Sequence, residues 1–262
     1  MPVPLRAIVG GLAVAVAVSL PGSALTIANL RWLKSFPWAA GPAVLYLLLA
    51  WAWLAGHGPP RRTVEARRQL LRGGAMRAGT VGRALAAGVS GVLALWALYA
   101  VFRPLIPASS ARVQAPDLPT ATAAVLIIVG AAVTAVAEEA GFRGYMQVPL
   151  ETRYGPVPAI SIVSIVFMAA HFTHGWPTLW LSPFYLAISV VYGLLAYSTG
   201  SILVPLGLHF AGDVALFGIR YSHVSLDLPA GIGPSRVLLA AGAAIFATGS
   251  VFSFRSLLRS RA

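Results

Sequence analysis

The chain has 262 residues, 58% of them hydrophobic and only 10% charged, against about 25% charge in soluble domains. With a mean hydropathy of +0.80, it has too few polar residues to cover a water-facing surface, which excludes a soluble globular domain and points to a multi-pass membrane protein. The net charge of +12 is read as the Arg and Lys excess of cytoplasmic loops rather than a nucleic-acid surface; with no cysteine, disulfides, thiol catalysis and cysteine-held metals are out.

The N-terminal run AIVGGLAVAVAVSL follows a short basic start and has the shape of a signal-peptide core. Apolar character resumes after Pro21 and no clean A-x-A site follows, so an uncleaved first span is preferred. A span needs about 20 mostly apolar residues. Eight runs qualify approximately, at 7–28, 39–56, 84–102, 121–141, 157–173, 180–198, 201–219 and 236–254. Because a lipid-spanning backbone must satisfy its own hydrogen bonds, and these runs do not alternate as barrel strands do, the expected fold is an all-α polytopic transmembrane helix bundle. No repeat and no soluble domain stands out, so residues 1–262 read as a single membrane domain.

Residues 58–83 form the one long basic stretch, with Arg61, Arg62, Arg67, Arg68, Arg72, Arg77 and Arg83. The positive-inside rule makes this loop cytoplasmic. Both termini then fall on the cytoplasmic side of a cell membrane, consistent with Arg255, Arg259 and Arg261 near the C-terminus.

Inside the spans the ionisable groups are few: Glu138, Glu139, Arg143, His171, His209 and Asp213. Each is costly in lipid unless paired, which makes such groups functional candidates. Glu139 and Arg143 stand four apart, so they share a helix face and can pair; Glu138 turns about 100° away and is expected to face another partner. Phe167 and His171 are four apart, as are His209 and Asp213. An acid in that position can accept a ring N–H and fix the tautomer. His174 reads as interfacial, and His57 and His223 lie in loops without a role.

A glutamate can take a proton from water, and histidines can stabilise an oxyanion. Glu138, His171, His209 and Asp213 could equally hold a divalent metal such as zinc, and spacing does not choose between the two designs. HExxH and GxSxG are absent, FAGD at 210–213 lacks the first glycine of GxGD, and two of the three aspartates, Asp117 and Asp227, lie in loops, against a paired-aspartate site.

EEAGFR at 138–143, FMAAH at 167–171 and HFAGD at 209–213 fit EExxxR, FxxxH and HxxxN/D. In this order on successive spans they resemble the CPBP family, the CAAX prenyl endopeptidases and bacteriocin-processing or Abi proteins, over residues 121–219. The resemblance implies an intramembrane endopeptidase acting on a membrane-embedded or membrane-associated peptide. Glu138 would be the base, His171 would orient the water, His209 and Asp213 would serve the oxyanion side, and Glu139, Arg143 and Phe167 would support them. A prenylated substrate does not transfer with it. Aspartate rather than asparagine at 213 suits polarising His209 or ligating a metal better than facing an oxyanion.

Two other readings stay open: a non-catalytic scaffold or immunity protein, and a proton-coupled transporter, for which paired half-helices or inverted repeats are not seen. Depth poses a difficulty. With span four ending at residue 141, Glu138 lies near the inner helix end, whereas His209 sits roughly 12 Å and His171 roughly 21 Å from the inside. A common site needs a tilted or broken helix, or shifted boundaries; EEAGFRGYMQVPLETRYG is expected to continue as helix past the membrane surface, with Gly141 and Gly144 allowing a bend or close packing.

Overall fold

The structure is a computed structural model that describes residues 2–102, 117–174, 178–222 and 233–259; His223 and Asp227 lie outside them. All eight apolar runs are helical. In chain order the helices are α1 (Val3–Trp32), α2 (Ala40–Leu54), α3 (Val64–Leu71), α4 (Ala78–Phe102), α5 (Thr120–Glu138), a π-segment (Glu139–Met146), α6 (Gln147–Tyr154), α7 (Pro156–Ala170), α8 (Thr178–Thr199), α9 (Leu203–Tyr221) and α10 (Pro234–Arg259). Among the described residues there is no strand. Among the described residues, five helices are long and apolar enough to cross a membrane, while Ala40–Leu54, Pro156–Ala170 and Leu203–Ile219 are apolar but shorter. The protein is thus a polytopic helix bundle. The three short helices fall below the 20-residue run assumed for every span.

The fourth run departs most from its expected bounds. It does not stop near residue 141 but continues as one helical run of 35 residues, Thr120–Tyr154. Glu138 therefore sits near its midpoint rather than at a helix end. The run ends at Gly155, whose φ of +82° is open to glycine at little cost, and Pro156 starts α7 where a missing N–H is harmless.

The chain's contacts gather into two compact units. The first comprises residues 1–73, 113–153 and 206–224. Its α1 lies against α5 and the π-segment at glycine contacts too tight for a side chain. A Cβ on Gly11 would stand 2.6 Å from the Gly141 carbonyl oxygen, and one on Gly22 would stand 2.9 Å from Val133 Cγ1. In lipid there is no hydrophobic drive between helices, so such close backbone packing supplies the association.

The turn into α2 is held by buried Asn29, whose Nδ2 donates to Leu33 O and Phe36 O, each at 3.1 Å, while Oδ1 accepts from Ala39 N at 2.9 Å. In the basic loop, buried Arg67 donates to Gly58 O at 2.7 Å and lies 4.5 Å over the Trp53 ring.

The second unit comprises residues 74–112, 154–205 and 225–262. Here α4 packs along α10 and against α8, and α8 packs on α7. Ser250 Oγ donates to Ala87 O at 2.9 Å beside Gly91. Trp96, Tyr99 and Phe184 form an aromatic cluster with centroids 5.7–5.9 Å apart.

Candidate active site

Residues 139–146 form a π-helical segment, the wide turn that recurs at functional sites. It is pinned on two sides by glycine. A Cβ on Gly141 would stand 2.7 Å from Gly11 O and 2.8 Å from Ala15 Cβ, and one on Gly144 would stand 2.7 Å from Leu70 O. The two glycines expected to allow a bend or close packing therefore provide close packing, against α1 and α3. This anchoring sets the direction of the carboxylates at 138 and 139.

Both carboxylates turn to one imidazole on α9. His209 Nδ1 lies 2.8 Å from Glu139 Oε1, and the same oxygen is 3.1 Å from Arg143 Nη1. Glu139 and Arg143 are fully buried, so the expected ion pair forms, and it forms away from solvent. On the other side of the ring, His209 Nε2 is 3.7 Å from Glu138 Oε2 and 3.7 Å from Asp213 Oδ2. A carboxylate oxygen only accepts, so the short contact makes Nδ1 the N–H donor and leaves Nε2 facing Glu138 and Asp213.

Exposure separates the two glutamates. The Glu139 side chain is 0% exposed, whereas that of Glu138 is 21% exposed. Glu138 Oε2 is buried against the imidazole, so the accessible part of the side chain is the remainder. One carboxylate orients the histidine and the other can meet a reactant.

Asp213, four residues from His209, lies 3.7 Å from Nε2, and Glu139 from another helix takes the hydrogen bond at Nδ1. Helical periodicity finds partners within one helix, and this one comes from tertiary contact.

His171 and Phe167 belong to the second unit. His171 Nδ1 is 2.8 Å from Phe167 O. Since a carbonyl only accepts, Nδ1 carries the hydrogen, and a neutral ring has its lone pair on Nε2. The ring stacks on Tyr185 with centroids 4.1 Å apart and leans on Phe167 at 4.5 Å. Phe167 thus supports His171 through both its carbonyl and its ring. His57 is exposed, with Nδ1 3.0 Å from Ala52 O.

A further polar group went unread in the sequence. Gln147, fully buried, donates from Nε2 to Glu151 Oε1 at 2.7 Å, and Glu151 pairs with Arg72 at the end of α3. The spacing of Gln147 and Glu151 was a usable signal; the arginine, 79 residues away, was not.

Two carboxylates and an imidazole are chemically suited to a divalent ion. As placed, the described residues contain no group of three His, Cys, Asp or Glu that could hold a metal; with Glu139 on Nδ1, Nε2 is the His209 nitrogen that would face an ion.

Comparison with known proteins matches residues 120–215 to a protein family described as type II CAAX prenyl endopeptidase Rce1-like. The matched region contains all three motifs. No curated protein and no solved structure matches the chain.

Proposed function

This chain belongs, through residues 120–215, to the CAAX-type protease family, and we propose that it is an intramembrane endopeptidase hydrolysing a peptide bond in a membrane-associated substrate, with Glu138 as the base. The observation that supports this reading most is the division of labour around His209: buried Glu139 on Nδ1 at 2.8 Å, partly accessible Glu138 on the Nε2 side at 3.7 Å.

In the proposed reaction Glu138 accepts a proton as water oxygen attacks the scissile carbonyl carbon, forming a tetrahedral oxyanion. The protonated carboxyl then returns that proton to the leaving nitrogen as the carbon–nitrogen bond breaks. His209, held in one orientation by Glu139, presents Nε2 to the reacting groups; as an imidazolium it would donate there to the oxyanion. Asp213 tunes the field at that nitrogen. The family motif carries over to His171 the task of orienting water, and the hydrogen bond to Phe167 O leaves its Nε2 suited to accept from it.

No step is routed through an ion; metal held by Glu138, His171, His209 and Asp213 is a separate proposal, with chelation as its test. We also place both termini on the cytoplasmic side, from the arginines of residues 58–83 and of the C-terminal end.

The decisive experiment is cleavage of membrane-embedded peptides by the purified chain and by Glu138→Gln. Loss of cleavage in a variant that melts like the wild type supports the proposal; equal cleavage by both overturns Glu138 as the base, and no cleavage by a well-folded wild type gives the scaffold reading the lead.

A further inference from the structure

Away from the motifs, the second unit has a cleft of about 470 Å³ lined by Arg83 of α4 and by Phe252, Arg255, Ser256 and Arg259 of α10. Three arginines line it and, among the described residues, no carboxylate does. The unit's only acidic residue is Asp227, and among the described residues none of the three arginines forms an ion pair. Arg83 donates from Nε to Gly79 O at 3.2 Å. Arg255 and Arg259 are exposed and four residues apart, so their side chains share one face. Guanidinium donors matched with a hydroxyl suit the oxygens of a phosphate.

The apolar surface beside the cleft indicates what carries that phosphate. Leu238, Ile245 and Phe252 recur every seven residues along α10 and are 72%, 70% and 64% exposed. Seven-residue spacing keeps them nearly on one face of the helix, and the next position in the series is Arg259. This ridge runs about 21 Å from Leu238 to Phe252, longer than the roughly 15 Å of one leaflet's hydrocarbon. Both α4 and α10 are long and apolar enough to span the membrane, and the cleft lies where α10 ends.

We propose that this cleft binds the phosphate headgroup of an anionic phospholipid, with an acyl chain lying along the Phe252 and Ile245 end of that ridge. Basic pockets between membrane helices recognise such headgroups in this way. The inference does not depend on the proteolytic reading.

The test titrates the full chain, purified in non-ionic detergent, with short-chain phosphatidylglycerol, phosphatidylcholine or inorganic phosphate, reading bound ligand by native mass spectrometry. Each arginine near an anionic surface favours binding about fivefold, so the triple variant Arg83→Gln, Arg255→Gln, Arg259→Gln is expected to bind phosphatidylglycerol about a hundredfold more weakly. Should the triple variant fail to fold, the exposed pair Arg255→Gln, Arg259→Gln carries the same test. The control pair Arg61→Gln, Arg62→Gln is expected to bind like the wild type. Equal binding by triple variant and wild type overturns the proposal, as does equal loss in the control pair. Inorganic phosphate binding as tightly as phosphatidylglycerol overturns the lipid assignment in favour of a free anion.

Discussion

Glu139 Oε1 accepts from His209 Nδ1 at 2.8 Å and lies 3.1 Å from Arg143 Nη1 in an ion pair, so one buried oxygen ties the π-segment to α9. The adjacent Glu138, more accessible, faces the opposite nitrogen of the same ring. The pair therefore has two roles, and replacing either member has a different signature.

Glu138→Gln removes the proposed base while keeping the shape of the side chain. A positioned base contributes about 10²- to 10⁴-fold, so peptide cleavage should fall by that factor with the melting temperature unchanged. Rate and melting measured on the same preparation check both halves.

Glu139→Gln is expected to act first on stability. It leaves Arg143 buried without its carboxylate, and breaking a buried pair costs about 3–5 kcal/mol. Thermal unfolding in detergent should show a clear drop, larger than for Glu138→Gln; equal melting of the two variants would contradict the burial difference.

Gly141→Ala should weaken the seat of the site. Its Cβ would meet Gly11 O at 2.7 Å and Ala15 Cβ at 2.8 Å, so α1 or the π-segment must shift. Gly130→Ala, with nothing within 4 Å of the new Cβ, is the control and should be neutral or more stable by about 0.5–1 kcal/mol. If both variants melt alike, the tight contact does not position the segment.

Chelation discriminates the water-activating designs. With Glu138 acting on water directly, dialysis against a chelator should leave the cleavage rate unchanged. Loss of rate restored by zinc, together with zinc retention that falls in His209→Ala, would assign these side chains as ligands instead.

Much of this was legible in the residues. Long uncharged apolar runs admit little but membrane helix, because no other open structure satisfies its backbone in lipid. The rarity of charge within them singled out Glu138, Glu139, Arg143, His171, His209 and Asp213, and four-residue spacing placed Glu139 on Arg143. Periodicity also put Asp213 beside His209, where it lies 3.7 Å from Nε2, but it gave no sign of Glu139 at Nδ1, since a hydrogen bond from another helix leaves no trace in local spacing.

The sequence by itself determined the class of protein, the helices and the short roster of groups able to do chemistry. Only the tertiary structure decided that the fourth run continues through a π-segment past Glu138, that Glu139 rather than Asp213 holds His209, and that Glu138 is the carboxylate left accessible. The reason is physical: helix formation and membrane burial follow from composition along a few turns, whereas the direction of a carboxylate depends on Gly11, Ala15 and Leu70 pressing on Gly141 and Gly144 from elsewhere in the chain.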